Sequence, residues 1–256
     1  MKLKKNVKIL LIVLGLTSVA VIAVYFSGRS AVCSDIIISY NGSDEGKYID
    51  NNSILTIIRE EYGEILGIHM PEIGIASIEQ IIDALPQVKD ANVYRSSKGF
   101  LHIEIDERIP LLRIFADDGK TYYLDTEGFL MPVSKKTPAR VIVASGNIHL
   151  PDSAVERKLG LDSLPEAKQL YHLVNHINTD SFLSAQIQQI HLSPDDGIIL
   201  IPRVGAHDIV LGTIDDYENK LHRLRYFYFN IIANAGWNKY KRLNLSFDNQ
   251  IVAVKE

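Results

Sequence analysis

The sequence predicts an α+β protein: a single transmembrane helix, then a small βααββ unit, then a mixed β-domain with flanking helices. Three observations carry this reading. An apolar run fills residues 7–26, two isoleucine-rich helical patterns lead into an alternating hairpin before residue 107, and beyond it short apolar stretches are split by Asp- and Gly-containing turns.

Within 7–26, from Val7 to Phe26, Lys8 is the only charge. At about 1.5 Å per residue such a helix crosses a hydrocarbon core of about 30 Å. Lys2, Lys4 and Lys5 precede the run, and Arg29 alone follows it before Asp35. The lysine excess keeps residues 1–6 as a cytoplasmic tail and sends the rest across the membrane. A cleaved signal peptide competes with this reading, but the apolar stretch exceeds the usual core of about 7 to 15 residues. Tyr25 and Phe26 also stand where cleavage wants small residues. Cys33 invites a lipoprotein reading, yet Val32 before it is bulky, and a lone juxtamembrane thiol is the simpler account.

One cysteine in 256 residues makes no internal disulfide, so buried apolar surface must stabilise the exported part. A formal net charge of −4 leaves no basic footprint for nucleic acid.

The βααββ unit is placed over 35–106. Its first strand is the apolar run 35–40, ended by the turn pair Asn41-Gly42. Asn52 is the expected cap of a helix carrying Ile54, Ile57, Ile58 and Tyr62 on one face. A second helix from Ala76 or Ser77 aligns Ile78, Ile81, Ile82 and Leu85, and Pro86 stops it. The hairpin arms are 88–95 and 100–106, where Leu101, Ile103 and Ile105 alternate with His102, Glu104 and Asp106.

The β-domain is placed over 107–256. Runs 111–116, 121–124 and 129–131 read as a meander through the turns at Asp117-Asp118-Gly119 and Asp125-Thr126-Glu127-Gly128. A strand at 141–144 precedes a helix with Pro165 in its first turn and Leu164, Ala167, Leu170, Tyr171 and Val174 along one face. Runs 186–193 and 198–202 form a hairpin, and 208–211 adds a strand. A long helix over 213–235 places Tyr217, Leu221, Leu224, Tyr228 and Ile231 together, before strands at 242–247 and 250–254. Four consecutive aromatics, Tyr226 to Phe229, cannot all enter one core, so at least one reaches a surface.

In order along the chain these elements resemble the FtsQ/DivIB family of bacterial cell-division proteins. The resemblance rests on Leu85-Pro86-Gln87-Val88, Ala91, Val93 and Leu101 to Ile105 in the second half of a POTRA-like unit, then Glu107-Arg108-Ile109-Pro110, Tyr123 to Phe129, and Val210-Leu211-Gly212. Relatives tend to read apolar-Asp-Leu-Arg-aromatic near the C-terminus, where this chain has Leu243-Asn244-Leu245-Ser246-Phe247 and has lost both charges. The resemblance implies a single-pass inner-membrane protein of the division septum, with N-terminus cytoplasmic and C-terminal domains extracytoplasmic. It also implies FtsB/DivIC-like and FtsL-like single-pass partners and control of septal peptidoglycan synthesis. The matching positions are Leu243 to Phe247 and the strand after Asn249, with Leu243, Leu245, Phe247 and Ile251 expected to bind the partner. Arg108 and Pro110 are expected at an interdomain hinge, because proline ends a strand and sets its exit angle.

The competing class is a membrane-anchored envelope enzyme or sensor containing such a module. His172 and His176 have helical spacing but enclose no glutamate, so the H-E-x-x-H chemistry is missing. Asp117-Asp118, Asp195-Asp196 and Asp215-Asp216 sit at turns or helix starts, where aspartate serves local hydrogen bonds. Neither a G-x-S-x-G elbow, a P-loop nor a dinucleotide fingerprint occurs. No cofactor and no small-molecule substrate is expected.

Overall fold

Isoleucine spacing builds the first half of the fold, because residues three and four apart on a helix fall on one face. In the computed structural model, which describes residues 13–21, 31–41, 48–134, 138–151, 153–155 and 157–255, the chain forms two units. One comprises Met1–Ser43 and Ile49–Glu107, the other Asp44–Tyr48 and Arg108–Glu256. Of the expected membrane run, residues 13–21 are described and helical. The remainder of 7–26 and the tail 1–6 lie outside the described residues, among which no helix is long and apolar enough to cross a membrane.

The first unit runs β1 (Asp35–Asn41), α1 (Asn51–Glu61), a 3₁₀ turn (Met70–Glu72), α2 (Ile75–Asp83), β2 (Val88–Arg95) and β3 (Phe100–Glu107). Its sheet has the order β1-β3-β2, with β1 parallel and β2 antiparallel to the central β3. Ile54 and Ile58 of α1, Ile78 and Ile82 of α2, and Leu101, Ile103 and Ile105 of β3 close one core. The cap of α1 is Asp50 rather than the expected Asn52. Asp50 is extended and its carboxylate reaches forward to accept from the Ser53 N–H at 3.1 Å, so the helix starts before Asn52. Cys33 lies in this core, and burial pushes its thiol pKa up, which keeps it protonated and unreactive.

The second unit contains β4 (Pro110–Phe115), β5 (Thr121–Asp125), β6 (Leu130–Pro132), β7 (Ile142–Gly146), α3 (Pro165–Thr179), α4 (Ser181–Gln186), β8 (Ile187–Ser193), β9 (Gly197–Pro202), β10 (Asp208–Gly212), α5 (Tyr217–Phe227), β11 (Tyr240–Asn244) and β12 (Val252–Lys255). All nine strands join one sheet in the order β12-β11-β10-β9-β8-β7-β4-β5-β6. Pairing is parallel at β4/β7, β7/β8 and β10/β11, the three joins that need a crossover, and antiparallel elsewhere. Leu170, Leu173, Val174 and Ile177 of α3 pack with Leu221 and Leu224 of α5 on the sheet side chains of one face.

Two details depart from the sequence reading. Helix α4 is too short to show a period, and only Asp180, whose carboxylate accepts from Phe182 and Leu183 N–H, announces it. The long helix begins at Tyr217 rather than residue 213, and a π turn over Tyr228–Ile232 widens it. An uninterrupted α period places Ile231 inside. The wider turn instead buries Ile232 completely and leaves Ile231 39% exposed.

Candidate partner-binding edge

A sheet margin presents unpaired N–H and C=O groups, so the ends of the strand order are where another chain can add. The nine-stranded sheet ends in β6 and β12. Strand β12 pairs on one side only, antiparallel to β11, with Asn244 opposite Val252, Leu243 opposite Ala253 and Arg242 opposite Val254. Its alternation turns Ala253 toward the core, while Val252 and Val254 stand 41% and 49% exposed on the other face. Two β-branched side chains on a free margin, with backbone groups beside them, form a template for an extended segment.

The approach to this margin is held from behind. Arg223 of α5 donates from Nη2 to the carbonyls of Leu245 and Phe247, both at 3.3 Å. Asn244 Oδ1 accepts from the Ser246 N–H at 2.9 Å, which turns the chain at the end of β11. The residues that replace the missing charges therefore shape a turn.

The four expected binding residues divide. Leu243, in the interior strand β11, and Leu245, one residue beyond its end, are both fully buried in the core. Ile251 is partly buried against the same core. Phe247 is 47% exposed beside the β11/β12 connection. Val252 and Val254 fall in the strand expected after Asn249, although neither is among the four expected residues. The alternation Val252-Ala253-Val254 was the available signal.

Arg108 and Pro110, expected at the interdomain hinge, lie at the start of the second unit. Pro110 opens β4 as a buried residue opposite Asp125. The buried Arg108 guanidinium meets Asp125 Oδ2 at 2.8 Å and lies over the Phe129 ring at 4.4 Å from its centroid. Asp125 Oδ1 accepts in turn from the Glu127 and Phe129 N–H groups at 2.9 and 2.7 Å. Both oxygens of the buried carboxylate are thus engaged. Two residues from the family-like junction and two from the family-like hairpin form one cluster.

His172 is exposed, and His176 packs edge-on against Tyr217. Ser145 Oγ lies 3.2 Å from His191 Nδ1, but Gln189 Nε2 donates to that same Oγ at 3.0 Å, so no carboxylate orients the imidazole among the described residues. The described residues also hold no cluster of three potential metal ligands. A buried polar group sits elsewhere: His207 Nε2 is 2.7 Å from the Tyr228 hydroxyl, which Gln186 also reaches at 3.4 Å. Burial lowers the His207 pKa against the opposing pull of the Trp237 backbone and Asp208, and pushes Tyr228 up to about 12. Tyr226 and Phe229, on either side of this cluster, are exposed.

These features define a two-unit α+β protein whose nine-stranded sheet ends, among the described residues, in a strand that exposes two valines. The chain belongs to the FtsQ/DivIB, C-terminal related family, which matches residues 109–254. Residues 31–106 match the POTRA-like domain. The chain is similar to the cell division protein FtsQ of Salinibacter ruber, at 29% identity over 181 residues, which covers 65% of this chain and 64% of that protein.

Proposed function

We propose that this chain is a non-catalytic scaffold of bacterial cell division that docks FtsB/DivIC-like and FtsL-like single-pass proteins on β12 and so helps control septal peptidoglycan synthesis. The observation that supports it most directly is the one-sided pairing of β12 with Val252 and Val254 exposed along it. An added strand gains affinity from backbone hydrogen bonds and selectivity from side chains on alternating positions. Phe247 contributes an aromatic contact beside the strand, while Leu243, Leu245 and Ile251 support it from the core side.

In this reading the run 7–26 anchors the chain in the inner membrane at the septum, N-terminus inside, and places the folded units beside partners that cross the same bilayer. Arg108 and Pro110 fix where the second unit begins. The test is capture from solubilised membranes with the wild-type chain and with Val252→Lys/Val254→Lys. Recovery of small coiled-coil membrane proteins by the wild type alone supports the proposal. Equal recovery by both defeats the assignment to β12. Because Asn244 and Ser246 carry no charge, substituting them leaves the salt dependence of binding unchanged.

A further inference from the structure

At the end of the second sheet where β4, β7 and β8 begin and β9 finishes lies a cavity of about 430 Å³. The pairings Leu112 with Ile142 and Ile187 with Pro202 bring these strand ends side by side. Its floor includes Leu111, Ile142 and Ile187, all buried. Its lining also includes Arg140, two residues before β7, Arg203, directly after β9, and the amide side chain of Asn178. The Arg203 main chain is fixed by its N–H donating to the Gln186 carbonyl at 2.6 Å.

The charge balance of this cavity is one-sided. Arg59, Arg108, Arg225 and Arg242 each meet a carboxylate. Arg140 and Arg203 meet none among the described residues, and no aspartate or glutamate lines the cavity they share. Two arginines that line one cavity with no aspartate or glutamate among its residues suit carboxylates, which accept guanidinium N–H groups in parallel pairs. The space far exceeds a single oxyanion, and Thr126, Ser184 and Gln188 add polar groups to its lining.

We propose that this cavity binds an acidic peptide segment of a protein partner, a docking point separate from β12. Arg140 and Arg203 hold its carboxylates, and Asn178 and Gln188 offer amides to its backbone.

The probe is a fluorescein-labelled hexapeptide of alternating Glu and Leu, with its Gln-Leu counterpart, titrated against the complete 256-residue chain by anisotropy. The Glu peptide binds, and Arg140→Gln or Arg203→Gln weakens it about tenfold each. Raising salt from about 0.05 to 0.3 M weakens it further. Both arginines are exposed, so the variants keep the wild-type melting temperature. Val252→Lys/Val254→Lys leaves peptide affinity unchanged, which separates this site from the strand-addition reading. Equal binding of the Gln peptide, or undiminished binding by the double arginine variant, overturns the proposal. So does a site that accepts inorganic phosphate, seen as an Arg140- and Arg203-dependent rise in melting temperature, but not the Glu peptide.

Discussion

The two margins of the nine-stranded sheet solve the same problem in opposite ways. Strand β6 is three residues long, buries Leu130 and Met131, and ends in Pro132, which has no N–H to offer. The neighbouring strand is further secured where the Tyr123 hydroxyl accepts from the Ala139 N–H at 2.9 Å, and by the Arg108–Asp125 pair. Strand β12 is also short, but it carries neither proline nor a cover of large buried side chains, and exposes two valines. One sheet therefore has a protected margin and an open one. Natural proteins block free strand edges against aggregation, so an edge left open carries information about use.

The largest expected effect tests the protected margin. Arg108→Ala leaves the Asp125 carboxylate buried without its cation and costs about 3–5 kcal/mol of stability, measured by urea unfolding. Next is Leu243→Ala, which opens a void behind β12 and costs about 2–5 kcal/mol. The fraction that remains folded binds its partner normally. If Leu243→Ala instead reduced affinity with stability intact, the core placement of that side chain would be wrong.

Smaller in stability but larger in binding is Val252→Lys/Val254→Lys, which changes unfolding free energy by about 0.5 kcal/mol or less per site. Partner affinity falls about tenfold or more, equivalent to about 1.4 kcal/mol. Pro132→Ala at the other margin leaves partner affinity unchanged. A matching loss there would erase the distinction between the margins.

The smallest effect is a pH slope near the open margin's supporting helix. His207 has its folded pKa depressed by burial, so as pH falls through the ordinary histidine range the unfolded chain takes up a proton before the folded chain does. Stability is complete above that range and is lost as pH falls toward the depressed folded value. His207→Gln flattens the melting temperature between about pH 7 and 5. The Tyr228 hydroxyl facing it stays protonated throughout, since its pKa is pushed up to about 12.

Much of the architecture was legible because its signals are local. Alternation of Leu101, Ile103 and Ile105 marks β3, and Pro165 marks the first turn of α3. The register of Ile231 against Ile232 was not legible, since a π turn changes the period without changing the residue types that report it. The last two strands were legible, but which of them lies at the sheet margin was not. Apolar and aromatic character pointed to 243–247, yet whether a strand is interior or marginal depends on pairing between β10, β11 and β12 that no local pattern encodes. The Arg108–Asp125 pair was missed for the same reason, its partners lying 17 positions apart.

The strand order has a consequence for how the protein is made. From β7 to β12 each strand joins the one before it, so the sheet lengthens in the direction of synthesis. Of the nine strands β12 is the last to be synthesised, and a chain interrupted before residue 252 leaves β11 at the margin instead. On the proposed reading, a partner that adds to β12 finds that edge only once the sheet has closed.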